Sequence, residues 1–182
     1  ILLEKMVFPV TTDAKRGLAN YPSFHPKFWL IKYVNNKGEA LYRVVVLSRN
    51  LTFDRSWDVS FCIDGKKANY ETDKNNPVSD FVSYLIKQLP DTENASEKQK
   101  KMRSLLRELK HVEFSLDSRE FYDFDFIPVG ISNKYNSKQE SLYSLLEDSF
   151  HEVLIMSPFL SKGVIKDFND RNKYIEHSKH VL

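Results

Sequence analysis

Two runs of aromatic and β-branched residues, Phe28-Trp29-Leu30-Ile31-Lys32-Tyr33-Val34 and Tyr42-Arg43-Val44-Val45-Val46-Leu47, flank the turn-forming stretch Asn35-Asn36-Lys37-Gly38. Such side chains lose rotamer freedom in a helix and pack well on a pleated surface, so the pattern predicts a β-hairpin. Apolar residues fill nearly every position instead of every second one, which predicts strands inside a sheet covered on both faces. A third strand is expected over residues 57–64, closed by the turn pair Asp64-Gly65, and Cys62 within it reads as a small buried hydrophobe.

Helical periodicity follows. Val78, Phe81, Val82, Leu85, Ile86 and Leu89 recur at three- and four-residue spacing between Asn76-Pro77 and Pro90, as in an amphipathic helix opened and stopped by proline. Ser96-Glu97-Lys98-Gln99 has the form of a second helix start, with Met102, Leu105, Leu106 and Leu109 as its apolar stripe. The basic run Lys98, Lys100, Lys101, Arg103, Arg107 and Lys110 reads as the solvated face of that helix and not as a nucleic-acid patch. Further strands are expected over residues 112–116, 124–129 and 152–156, and helices over 141–149 and 162–172. Strands alternating with helices predict an α/β sandwich, and 182 residues with 41% hydrophobic content suffice for its core.

Composition narrows function by exclusion. Lysine and arginine number 27 against 25 acidic residues, a formal charge of +2, so any phosphate site must come from local arrangement and not from net charge. The single cysteine, Cys62, excludes an internal disulfide and a cysteine-rich zinc site and fits a reducing, cytoplasmic compartment. No stretch approaches the roughly 20 apolar residues that cross a bilayer, so membrane insertion is not expected. The opening Ile1-Leu2-Leu3-Glu4-Lys5-Met6 has neither an initiator Met nor signal-peptide regions, which leads us to expect a segment of a longer chain.

The hairpin also carries residues that point to chemistry. In an extended strand, side chains two apart share a face, so His25 and Lys27 point one way across Pro26, and Ser48 and Asn50 do the same on the partner strand. With the turn centred between Lys37 and Gly38, His25 lies opposite Asn50 and Lys27 opposite Ser48, and four polar groups converge; a longer loop or a bulge near Glu39-Ala40 shifts this register. A lysine ammonium with a carboxamide donor holds the oxygens of a phosphodiester without a metal ion. A neutral imidazole beside it is a nucleophile, and the product is a phosphohistidine. A second acid must protonate the leaving oxygen, and none of these residues supplies it. His111, His151 and His180 have no metal-ligand spacing with a carboxylate or thiol and are assigned no role.

The run Phe24-His25-Pro26-Lys27-Phe28-Trp29-Leu30, followed by Val46-Leu47-Ser48-Arg49-Asn50-Leu51-Thr52, resembles the first H-x-K…N motif of the phospholipase D superfamily. The common form of that motif carries an Asp five residues after the Lys and a Gly-Ser before the Asn; Lys32 and Leu47-Ser48 stand in those places here. Loss of that Asp, with Asp54 and Trp57 downstream of Asn50-Leu51, is similar to the tyrosyl-DNA phosphodiesterase branch. The resemblance covers residues 24–64. It implies a phospholipase D-like mixed β-sheet sandwiched by helices. Residues 1–150 would then be the C-terminal part of one repeat with a helical insertion, and residues 151–182 the truncated start of the next.

The same resemblance implies His25 as nucleophile or its acid/base counterpart, with Lys27 and Asn50 as phosphate holders. It implies a phosphodiester substrate, DNA or a DNA–protein linkage, with no cofactor and no metal. Ser48, Arg49, Asp54 and Trp57 follow as candidates for substrate binding. The complementary motif is expected beyond Leu182 or from a second copy across a twofold axis. His177-Ser178-Lys179 is also an H-x-K, but no Asn follows it, and it reads as a surface tripeptide. Blander roles stand beside these. Arg49 and Arg55 suit ion-paired surface arginines, and Trp57 suits the core. Trp29 and Tyr33 share the His25 face and suit core packing more than stacking on a base or tyrosine. Because the chain shows one motif, the competing expectation is a non-catalytic module whose degenerate half-site holds phosphate, nucleic acid or a protein partner without turnover.

Overall fold

Asn35 decides how the hairpin closes. Its Oδ1 accepts from the backbone N–H groups of Lys37 and Glu39, both at 2.9 Å, and its carbonyl accepts from that of Gly38 at 3.0 Å. This side-chain-closed turn places Gly38 at a φ of +81°, where a Cβ is disfavoured. It joins β1, Phe28–Val34, to β2, Ala40–Leu47, in the computed structural model, which describes residues 7–8, 24–50, 55, 57–129, 162–163 and 165–166. β3, Ser60–Lys67, and β4, Val112–Ser115, complete an antiparallel four-stranded sheet in the order β1-β2-β3-β4. Between β3 and β4 come a 3-10 turn, Asp73–Asn75, and two helices, α1, Asn76–Lys87, and α2, Glu93–Leu109. The result is a mixed α/β fold.

Both of these helices pack on one face of the sheet. Phe28 and Leu30 of β1 and Tyr42 of β2 meet Val78, Phe81, Val82 and Ile86 of α1 and Leu106 and Leu109 of α2. Phe28 and Phe81 sit edge to face with ring centres 5.1 Å apart. The α1 stripe is therefore the one its periodicity predicts. Alternation along the paired strands puts Trp29, Ile31, Tyr33, Arg43, Val45 and Cys62 on the other face. The expectation of a sheet covered on both faces is corrected for the described residues. Trp29 and Tyr33 are 45% and 46% exposed, and Cys62 is exposed and not buried. A continuous apolar run shows that a strand can be covered twice; what covers it is decided by elements far away in sequence.

Three boundaries also move. β3 begins at Ser60 and runs straight through Asp64-Gly65, so that pair is strand and not turn. α2 begins one turn before Ser96, because Thr92 is its N-cap, accepting from the Ala95 N–H at 3.2 Å. Residues 124–129 form no strand. Their aromatic residues plug the core from a loop, with the Phe126 ring against Phe28 and Phe81, and a plug of this kind looks like a strand in sequence. The elements expected over 141–149 and 152–156 lie outside the described residues, and of 162–172 only 162–163 and 165–166 are described, as helix.

Two polar ties fix the helix pair to the sheet. Asn75, 4% exposed, donates from Nδ2 to the carbonyl of Leu109 at 2.7 Å, an acceptor that the end of α2 leaves open, and to that of Val112 at the start of β4 at 2.6 Å. Asn75→Ala is expected to cost about 1–3 kcal/mol, read as a lowered urea midpoint with an unchanged slope. On the sheet side, Glu108 Oε2 accepts from Lys32 at 2.6 Å and from the Tyr42 hydroxyl.

Burial pushes the Glu108 carboxyl up, but the hydrogen bonds from Lys32 and Tyr42 outweigh it and hold the group below its ordinary value of 4.5. A folded-state pKa below the unfolded one gives stability that is complete above the unfolded value and is lost as pH falls through the folded one. Glu108→Gln is expected to be less stable at neutral pH and to show a shallower loss below about pH 4.5, measured as urea midpoints across the acid range. Among the described residues, no helix is long and apolar enough to cross a membrane.

Candidate functional site

The register of β1 on β2 settles which side chains can meet. Phe28 pairs with Val46 and Val34 with Ala40, and the ladder extends one step further, where the Leu47 N–H donates to the Lys27 carbonyl at 2.9 Å. Lys27 thus lies opposite Leu47 and not opposite Ser48, so the expected register is corrected by one residue. The cause is the turn: Asn35 donates to the Glu39 carbonyl at 3.0 Å, leaving the odd-numbered loop Asn36-Lys37-Gly38 where an even one was expected. A slip of one residue exchanges the two faces of a strand.

Ser48 is turned away from the expected phosphate position by this slip. Its N–H donates to the Val59 carbonyl at 2.9 Å, and its Oγ accepts from the Val59 N–H at 3.0 Å and donates to Asp58 Oδ1 at 3.2 Å. Ser48 therefore pins the end of β2 to the approach to β3. The same Asp58 oxygen lies 3.4 Å from Arg49 Nε.

Past Leu47 the backbone bends at Ser48 and Arg49, and the bend brings Asn50 back towards β1. Lys27, Trp29, Leu47, Arg49 and Asn50, with Pro26 and Phe28, line an open depression of about 230 Å³. Two of the three expected catalytic residues, Lys27 and Asn50, thus share one site. His25 is exposed and stands beside the depression. Its Nδ1 accepts from the Lys27 ammonium, which also donates to the His25 carbonyl at 3.0 Å.

That shared ammonium has a chemical consequence. A neutral imidazole accepting at Nδ1 carries its proton on Nε2, so while Lys27 stays in place neither ring nitrogen offers a lone pair. A phosphate oxygen placed in the depression would compete for the same ammonium as a stronger, anionic acceptor. Movement of Lys27 onto such an oxygen would free Nδ1 to attack directly, or to take the proton and leave Nε2 to attack.

The remaining candidates divide clearly. Trp57 is fully exposed, so its reading as core is corrected, and Arg55 is exposed. Asp54, His151, His180 and the tripeptide His177-Ser178-Lys179 lie outside the described residues. Lys32, in the place of the motif's Asp, faces the helices and binds Glu108, turned away from Lys27. His111 Nε2 is 3.6 Å from Glu71 Oε1. Trp29 is the lining residue that sequence reasoning assigned to the core; its odd-numbered parity with Lys27 was the available signal. A larger cavity of about 330 Å³ is lined mainly by apolar side chains, among them Val44, Ile63, Val78 and Phe114, and its cation Lys74 is paired with Asp123. No protein-family model, curated protein or solved structure matches this chain, so a functional reading rests on the motif and on this geometry.

Proposed function

We propose that the chain supplies one half-site of a metal-independent phosphodiesterase of the phospholipase D superfamily, acting on DNA or a DNA–protein phosphodiester. One observation carries the reading: Lys27 belongs both to a depression it shares with Asn50 and to the hydrogen bond that masks His25. In the reaction, a His25 ring nitrogen forms a bond to phosphorus as the bond to the leaving oxygen breaks, and an acid protonates that oxygen. Water, activated by the conjugate base, then displaces phosphorus from the imidazole and restores it. Lys27 and the Asn50 carboxamide hold the non-bridging oxygens as charge builds there.

On this reading the acid comes from a second H-x-K motif, in a following repeat or in a second copy of the chain. Sedimentation separates these sources: an active species that sediments only as a monomer excludes the second copy. The exposed thiol of Cys62 supports a reducing, cytoplasmic setting.

The test is cleavage of a 3′-phosphotyrosyl oligonucleotide by the full-length protein in EDTA, with acid-labile, base-stable label retained on the protein. Cleavage that stops in EDTA overturns metal independence, and absence of retained label overturns the covalent route. The masking of His25 by Lys27 also favours a second reading, a phosphate-binding module without turnover. Under that reading the wild type binds oligonucleotide, Lys27→Ala does not, and neither cleaves it.

A further inference from the structure

Val44 and Val46 of β2 and Phe61 and Ile63 of β3 line the cavity of about 330 Å³, on the side of the sheet that carries the helices. The loop at residues 123–127 supplies a further wall and is tied down at two points. The Lys74 ammonium pairs with Asp123 and lies 4.4 Å from the centre of the Phe124 ring, and that ring packs on Phe61 with centres 5.7 Å apart. Phe126, in the same loop, packs on Phe28 and Phe81. The loop is thus held over the space without filling it.

Asn75 also lines this cavity and is 4% exposed. Its Nδ2 is committed to the carbonyls of Leu109 and Val112, and among the described residues no hydrogen bond reaches its Oδ1. A buried carboxamide oxygen in that position favours an occupant that brings a donor. Water is a poor one, since an ordered buried water wants roughly two to four polar partners and the wall is mainly hydrocarbon. A cavity of ~150 Å³ holds one benzene, so about 330 Å³ is room for a bicyclic ring.

We propose that this cavity binds a neutral bicyclic aromatic with one hydrogen-bond donor, of the indole type, its ring against Phe61, Phe114 and Val78 and its N–H donated to Asn75 Oδ1. Ring edges and faces suit a wall of phenylalanines, and a neutral donor meets the buried oxygen without bringing a charge into hydrocarbon. A fatty acid fits poorly. Its chain offers Oδ1 no donor, and its carboxylate would meet a Lys74 already neutralised by Asp123 and the negative charge of the exposed Asp125. The cavity shares no lining residue with the depression at Lys27 and Asn50, so the proposal stands apart from the phosphodiesterase reading.

The full chain is titrated calorimetrically with indole, with benzofuran, which has the same shape and an oxygen in place of the N–H, and with octanoate. Indole is expected to saturate one site below about 1 mM, and benzofuran to bind at least about tenfold more weakly because it leaves Oδ1 unmet. Val46→Phe, which turns a ring into the cavity from a half-buried strand position, is expected to remove indole binding without lowering the urea midpoint.

If that variant does not fold, methyl resonances of the wild type decide. Indole is expected to shift those of Val44, Ile63 and Val78, and to leave Val34, 59% exposed at the hairpin end of β1, unmoved. Absence of saturable binding, benzofuran or octanoate binding as tightly as indole, indole retained by folded Val46→Phe, or shifts confined to other methyl groups overturns the proposal.

Discussion

Replacing His25 by Ala is expected to lower phosphodiester turnover by about a thousandfold or more while leaving the unfolding midpoint unchanged. The large effect follows from the proposed role: removing a nucleophile removes the covalent route, and what remains is the contribution of binding and oxyanion stabilisation. The small effect on stability follows from place. His25 is exposed and outside the hydrophobic clusters, and surface substitutions of that kind usually stay within about 0.5 kcal/mol. Lys27→Ala is expected to fall between wild type and His25→Ala, since it would remove the proposed phosphate contact and also unmask the imidazole. The double variant should be no worse than His25→Ala, because the two residues act as a unit. Turnover in His25→Ala within a few-fold of wild type refutes the nucleophile assignment.

Gly65→Ala is expected to destabilise the fold by about 1–3 kcal/mol without changing the chemistry of the site. Gly65 pairs with Tyr42 on one side and Phe114 on the other, facing the helices. A Cβ added there would lie 2.5 Å from Val112 Cγ1 and 2.7 Å from Phe114 Cδ1. Val112 is fully buried and β-branched, so it has little freedom to give way. Gly65→Ala combined with Val112→Ala should therefore cost less than the two changes summed, as measured by urea denaturation. A Gly65→Ala protein as stable as wild type would mean that β4 yields at no cost, against the packing described.

Gly65 also shows where sequence reasoning stops. Asp-Gly after an apolar run is a strong turn signal, and nothing local distinguishes it from a glycine that another strand requires. The strand supplying that requirement, β4, begins forty-seven residues later, at Val112. The exposure of Cys62, Trp29 and Tyr33 likewise follows from which face of the sheet α1 and α2, both later in the chain, came to cover. By contrast, the α1 stripe and the hairpin were legible, because 3.6-residue periodicity and β-branched density are properties of neighbours along the chain.

The candidate site divides on the same principle. Residue types and local order in the chain determined that His25 and Lys27 precede, and Asn50 follows, two antiparallel strands joined by one turn; they also carry the proposal of phosphate chemistry. Their facing was decided only in three dimensions. The odd loop closed by Asn35 moved the register by one residue, put Lys27 opposite Leu47 and sent Ser48 to Asp58. A bend after Leu47 returned Asn50 to the depression. Strand propensity is set residue by residue, whereas register and burial are set by which backbone groups pair across a sheet and which helices reach it, and those are sums over the whole fold.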